Sequence, residues 1–122
     1  MSTILLVDDN DDFRRAALLA LQHAGYQVAE ARNGAQAVHE CFSLRPDLVI
    51  LDLLMPEQEG LETILELRQL NAALPIIAIS GGGHSAAGDY LVMAQKLGAN
   101  RVLAKPFLLA EMLRTISEVL AA

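Results

Sequence analysis

The stretch at residues 4–12, ILLVDDNDD, decides the fold class because an apolar run passes directly into a cluster of acidic residues. Four consecutive apolar residues bounded by polar ones are typical of a short buried β-strand. Asp8 and Asp9 then stand where that strand ends. Asp11 and Asp12 are predicted to lie in the first turn of a following helix, where carboxylates interact favourably with the helix dipole. A buried strand that ends in such groups and leads into a helix is typical of open α/β sheets.

The rest of the chain repeats this alternation of apolar runs and helix-spaced stretches. Strands are predicted at 4–7, 26–29, 48–51, 76–79 and 102–104. Between them, apolar residues recur every three or four positions, as in amphipathic helices. The predicted helices run from about Phe13 to Gly25, from Gly34 to Leu44, from near Gly60 to before Pro75, up to Gly98, and from Leu109 to Leu120. The second helix is expected to place Val38, Cys41 and Phe42 on one face. The pattern predicts an α/β fold, a (βα)5 parallel sheet covered on both faces by helices.

The composition indicates one protein-binding domain. The 122 residues, 53% of them apolar, suit a single domain with a well-buried core. A net charge of −6 argues against nucleic acid and against an anionic membrane as partners, so proteins are the expected partners. No stretch approaches the length of a membrane span. The single Cys41 is interpreted as a small core residue in a reducing compartment, and a cytoplasmic location is expected.

Polar side chains follow the other predicted strands as well. Asp52 follows the third strand, Ser80 the fourth and Lys105 the fifth. If the strands are parallel neighbours, these groups converge with Asp8 and Asp9 at one edge of the sheet. Two carboxylates about 4 Å apart repel by about 4 kcal/mol at an effective dielectric near 20, so the cluster requires a cation, a proton or the Lys105 ammonium. Ligands that are all oxygen favour Mg²⁺ or Mn²⁺ over zinc.

In this order and spacing, the motifs resemble the receiver domain of two-component response regulators over the whole chain. The matching pieces are Asp8-Asp9, Asp52, Met55-Pro56, Gly60, Ser80, Gly98-Ala99 and Lys105-Pro106-Phe107. The resemblance implies a flavodoxin-like, doubly wound sheet with strand order 2-1-3-4-5. It also implies that residues 1–122 form one stand-alone, chemotaxis-regulator-like receiver domain without an output domain. Its expected activity is self-catalysed aspartyl phosphorylation and dephosphorylation, with a histidine kinase or histidine phosphotransfer protein as the donor.

The resemblance also assigns roles to individual residues. It implies that Asp52 is the phosphoacceptor and that Asp9 is a direct Mg²⁺ ligand. Asp8 would be a second acidic residue of the metal site, and the backbone carbonyl of Leu54 a further ligand. Ser80 would supply the hydroxyl that follows the phosphoryl group, and Lys105 the counter-ion of that group, the latter positioned by a cis bond to Pro106.

The chain departs from this family at the site of its usual switch. Receiver domains generally carry an aromatic residue three places before the lysine, and here that place holds Val102. The glycine-rich residues Gly81 to Ser85 are expected to form a loop that rearranges instead, with Tyr90 as a candidate substitute for the aromatic residue. The signal is expected to reach a protein partner through the surface of helix 4, strand 5 and helix 5.

Three alternatives remain at the level of the sequence. The residues Gly81-x-Gly83-x-x-Ala86 loosely match a dinucleotide-binding fingerprint, but they follow the fourth strand, and no acidic residue about twenty positions later could hold a ribose. An FMN-binding flavodoxin-like protein is disfavoured because the loop after the first strand is dense with aspartate. A third alternative is a protein-interaction module of the same fold that is never phosphorylated.

Overall fold

The computed structural model describes residues 2–53, 60–80 and 92–122. The strands are β1 (Thr3–Val7), β2 (Gln27–Ala31), β3 (Leu48–Asp52), β4 (Ile76–Ser80) and β5 (Arg101–Ala104). The helices are α1 (Asp11–His23), α2 (Gly34–Leu44), α3 (Gly60–Leu70), α4 (helical over 92–97 within the described part) and α5 (Leu109–Ala121). The predicted alternation of strands and helices is confirmed.

The five strands form one parallel sheet in the order β2-β1-β3-β4-β5. This order confirms the flavodoxin-like fold. Its register aligns the carboxyl ends of neighbouring strands, because Val7 pairs with Leu51, Asp52 with Ile79, and Ser80 with Ala104. The groups that follow the strands are therefore delivered to one edge of the sheet.

Two hydrophobic cores lie on the two faces of the sheet, which explains why the inner strands β1, β3 and β4 show no polar alternation. In β1, Leu5 and Val7 belong to the core that includes buried residues of α2, α3 and α4. Ile4 and Leu6 belong to the opposite core, which includes buried residues of α1 and α5. Because both faces of β1 are covered, every residue from Ile4 to Val7 is apolar and buried.

Two sequence-based details differ from the structure. The second strand, predicted at 26–29, is observed at Gln27–Ala31, because β2 lies at the sheet edge and accommodates the exposed Glu30. In α2 the buried residues are Gly34, Ala37 and Cys41, and Phe42 is 72% exposed. Phe42 follows Cys41 by one position, about 100° around the helix, and so turns away from the core.

Glycine is required where α3 begins next to the end of β3. A Cβ added at Gly60 would lie 2.5 Å from the Cα of Leu53, well inside van der Waals contact. The absence of a side chain at Gly60 therefore allows the helix to start directly beside the strand end that carries Asp52.

Within the described residues, no helix combines the length and hydrophobicity needed to cross a membrane. The assignment of residues 1–122 to one domain without an output domain stays a prediction.

Candidate functional site

The predicted convergence of carboxylates at one edge of the sheet is observed. Asp8 follows β1 and is fully buried, Asp52 ends β3 and is 5% exposed, and Asp9 is half-buried. One carboxylate oxygen from each of these three residues lies within 4.8 Å of the other two. The two strands that carry them are adjacent and in register, so the cluster follows directly from the sheet order.

Lys105 brings a positive charge into this cluster from β5. Its Nζ lies 3.0 Å from Oδ2 of Asp8 and 3.7 Å from Oδ2 of Asp52. The Lys105 backbone N–H donates to the carbonyl of Ser80 at 2.8 Å, and the Lys105–Pro106 bond is cis, as predicted. The ammonium thus compensates part of the charge of two buried carboxylates.

Asp8 is held by several hydrogen bonds besides its ion pair. Its Oδ1 accepts from the backbone N–H of Asn10 at 2.9 Å, and its own N–H donates to the carbonyl of Ala31 at 3.1 Å. The carbonyl of Asp8 accepts from Nη1 of Arg14 at 2.7 Å. These bonds fix the buried carboxylate before any ligand arrives.

Arg14 was not identified from the sequence, although it connects α1 to the site. Its guanidinium also donates to Glu30 at 2.9 Å and to Asp11 at 2.7 Å. Burial lowers the pKa of Arg14, but its bonds to Asp11 and Glu30 outweigh burial and leave the pKa raised. Asp11 lies in the first turn of α1, as predicted, and the hydrogen bond from Arg14 lowers the pKa of its carboxyl.

Ser80 ends β4, next to the strand that carries Asp52. It is fully buried, and among the described residues its Oγ has no hydrogen-bond partner. A buried hydroxyl without a partner costs about 1–3 kcal/mol. Such a group is expected where an oxygen-rich ligand supplies the missing hydrogen bond.

The donor set fits a hard divalent cation. Three carboxylates face one ammonium at this edge, which leaves two negative charges in excess if all are ionised. The cluster contains oxygen ligands, with no imidazole or thiolate, which suits Mg²⁺ or Mn²⁺. Asp8, Asp9 and Asp52 are the residues that could hold the ion.

Several predicted features lie outside the described residues. They are the carbonyl of Leu54, the Met55-Pro56 pair, the glycine-rich residues 81–85 with the fingerprint ending at Ala86, and Tyr90. Val102, in the place of the usual aromatic residue, is half-buried and packs against the core beneath α2, α3 and α4.

A second residue missed at the level of the sequence is Phe13. Its ring lies beneath Lys105, with 4.1 Å from Nζ to the ring centroid. It also contacts Phe107 edge to face, with ring centroids 5.9 Å apart. The sequence pattern places Phe13 only at the start of the first predicted helix. No spacing in the sequence identifies this contact, because it joins the first turn of α1 to the segment after β5.

The fold and the site together define a class of protein: a doubly wound α/β domain with a carboxylate-rich cation site at the carboxyl edge of its sheet. Residues 4–117 match the response regulator receiver domain family, and the chain belongs to that family.

Individual relatives agree with this assignment. The chain is 36% identical over 118 residues to chemotaxis protein CheY of Bacillus subtilis, covering 96% of each chain. It is 32% identical to the transcriptional regulatory protein PrrA of Mycobacterium tuberculosis, covering 96% of this chain and 49% of PrrA. It thus spans about half the length of such transcriptional regulators. The solved structure of chemotaxis protein CheY4 of Vibrio cholerae superposes with a TM-score of 0.86 at 30% identity, covering 98% of both chains.

Proposed function

We propose that this receiver domain accepts a phosphoryl group on Asp52 from a histidine kinase or a histidine phosphotransfer protein, in a Mg²⁺-dependent reaction. The observation that carries the proposal is the meeting of three carboxylates within 4.8 Å, with Lys105 reaching two of them. A site with this charge arrangement suits phosphoryl transfer, in which catalysis is mostly positioning and electrostatic stabilisation.

Each side chain of the site has a separate role in the proposed reaction. A carboxylate oxygen of Asp52 attacks the phosphorus, and the new O–P bond forms as the bond to the donor breaks and the donor leaves with that electron pair. Lys105 offers its ammonium to the phosphoryl oxygens, and Ser80 offers them its buried hydroxyl. Bound Mg²⁺, held by Asp8, Asp9, Asp52 and the Leu54 carbonyl, would supply positive charge to offset the charge that develops on the phosphoryl group.

The proposed output is a conformational change that a protein partner reads. A phosphoryl group adds a charge of about −1.5 to −2 beside Lys105 and Ser80, which biases the segments that follow β4 and β5. The docking surface is proposed to be α4, β5 and α5, since Lys105 directly follows β5 and β5 follows α4. The similarity to chemotaxis protein CheY of Bacillus subtilis supports this proposal. The cytoplasmic location stays a prediction.

Labelling with a small phosphodonor tests the proposal. Acetyl phosphate with Mg²⁺ should add one phosphoryl group to the wild-type protein and none to Asp52→Asn, and EDTA should abolish the reaction. Asp12→Asn, at an exposed aspartate of α1, is the matched control and should be labelled like wild type. Undiminished labelling of Asp52→Asn, or equal labelling in EDTA, would overturn the proposal. A chain that takes no label but still binds its partner would be the unphosphorylated module.

A further inference from the structure

We propose that Phe13 is a positioning residue for Lys105, and that the face of its ring holds the ammonium where the phosphoryl group on Asp52 would meet it. This inference rests on the proposed function. No motif of the sequence assigned Phe13 to the site.

The geometry is that of a cation–π interaction. Nζ of Lys105 lies 4.1 Å from the centroid of the Phe13 ring, within the distance of about 6 Å at which such attraction operates. The lysine side chain is only 23% exposed, and Phe13 is half-buried. Because water is partly excluded, the attraction is stronger than at a fully solvated surface.

The ring is itself fixed by the segment that carries the lysine. Phe107 stands two positions after Lys105 and meets Phe13 edge to face, with an interplanar angle of 82° and centroids 5.9 Å apart. This T-shaped arrangement is favoured for aromatic pairs. Lys105 and Phe107 thus contact the same ring, that of Phe13. These two contacts hold the segment after β5 against the start of α1.

The Phe13 ring attracts the Lys105 ammonium in a different way than the neighbouring carboxylates do. Asp8 and Asp52 lie 3.0 Å and 3.7 Å from Nζ and draw the ammonium toward their own oxygens. A ring face attracts the charge without offering a lone pair, so it leaves the N–H groups available for oxygen ligands. Holding the ammonium in place before the reaction reduces the reorganisation needed when the phosphoryl group arrives.

Fluorination of the ring separates this role from simple packing. Mono-, di- and trifluorinated phenylalanine, introduced at position 13, keep the aromatic shape while progressively weakening the negative face of the ring. The affinity for beryllofluoride with Mg²⁺ should fall stepwise, by about 5-fold in total, which corresponds to about 1 kcal/mol. The same series at Phe42, which is 72% exposed on α2, is the control and should leave the affinity unchanged.

A second measurement tests the geometry in the protein without metal. The ring current of Phe13 should shift the NMR signals of the Lys105 ε-methylene upfield in wild type and in Phe13→Tyr, and the shift should disappear in Phe13→Leu. The inference would be overturned if the affinity for beryllofluoride were the same in all the variants fluorinated at position 13. It would also be overturned if the NMR signal of the Lys105 ε-methylene were not shifted upfield in wild type. Wild-type labelling by acetyl phosphate is checked first, because its failure would contradict the proposed function rather than the role of Phe13.

Discussion

At the scale of the residue, the two adjacent aspartates after β1 have different environments. Asp8 is fully buried, ion-paired to Lys105 and hydrogen-bonded to the N–H of Asn10. Asp9 is half-buried, and within the described part of the chain no ion pair to it is found. Removing the charge of Asp8 would leave Lys105 less compensated, whereas removing the charge of Asp9 relieves repulsion. Asp9 is therefore the better position at which to separate metal binding from folding.

We predict that Asp9→Asn binds Mg²⁺ much more weakly than wild type and is more stable without metal. Solvent at the half-buried Asp9 and the nearby Lys105 ammonium offset most of the repulsion, so the loss of this carboxylate should add about 1 kcal/mol to the free energy of unfolding without metal. That gain raises Tm by about 4 °C for a domain of this size. Calorimetric Mg²⁺ titration and thermal melting in EDTA measure the two effects. Asp12→Asn is the control and should change neither. If Asp9→Asn had a lower Tm than wild type without metal and an unchanged Mg²⁺ affinity, Asp9 would not be a ligand of the metal.

The thiol of Cys41 provides a test of burial at the same scale. Burial raises its pKa from 9.0 to about 11, with a smaller contribution from Glu40. The thiolate is the reactive form, so at pH 8 the folded protein should react with a disulfide reagent at least about 100-fold more slowly than the chain unfolded in urea. Its rate should still be rising above pH 9, where the unfolded chain levels off. Equal rates in the folded and unfolded protein would show that Cys41 is accessible.

At the scale of the element, α3 is tied to the starts of β4 and β5 by one side chain. The guanidinium of Arg68 donates to the carbonyl of Gly98 at 2.6 and 3.1 Å, to that of Leu74 at 2.5 Å and to Oδ1 of Asn100 at 2.9 Å. Burial lowers the pKa of Arg68. Gly98 has a φ of +124°, and a Cβ there would lie 2.8 Å from Nε of Arg68, so glycine allows this close approach.

We predict that Arg68→Ala lowers the free energy of unfolding by about 2–3 kcal/mol, because it leaves the two partly buried carbonyls of Leu74 and Gly98 without these donors. Urea unfolding measures this loss. The matched control is Arg101→Ala, since Arg101 is exposed and pairs with the exposed Glu118 at 2.8 Å. Surface ion pairs contribute about 0–1 kcal/mol, so that variant should stay close to wild type. Equal losses in the two variants would contradict a special role for Arg68.

At the scale of the whole molecule, the sequence predicted the fold and the convergence of the site because both depend on strand order. Apolar runs that each end in a polar residue indicate parallel strands, and the register then brings Asp8, Asp52 and Lys105 together. The roles of Arg14 and Phe13 could not be predicted in this way. Their contacts depend on how α1 packs against β2 and against the segment after β5, and such helix placement leaves no short motif. The error at Phe42 has another cause, since Phe42 lies about 100° around α2 from the buried Cys41.

The site takes its groups from four strand ends, so its ligands should stabilise the entire domain. We predict that Mg²⁺ raises the Tm of the wild-type protein and that beryllofluoride with Mg²⁺ raises it further. A ligand present at 100 times its dissociation constant adds about 2.7 kcal/mol to the free energy of unfolding. Differential scanning calorimetry measures the shifts. In Asp52→Asn, beryllofluoride should no longer raise Tm beyond the value with Mg²⁺ alone. An undiminished rise in Tm in that variant would show that the anion binds elsewhere.

If Asp52 carries the phosphoryl group, chemical trapping should identify it as the modified residue. Borohydride reduces an aspartyl phosphate to homoserine, so peptide mapping by mass spectrometry after acetyl phosphate, Mg²⁺ and borohydride treatment locates the modified aspartate. We predict homoserine in place of Asp52 and at no other position, and none when Mg²⁺ is withheld. Reduction at Asp8 or Asp9 instead, or a fully labelled protein with Asp52 intact, would contradict it.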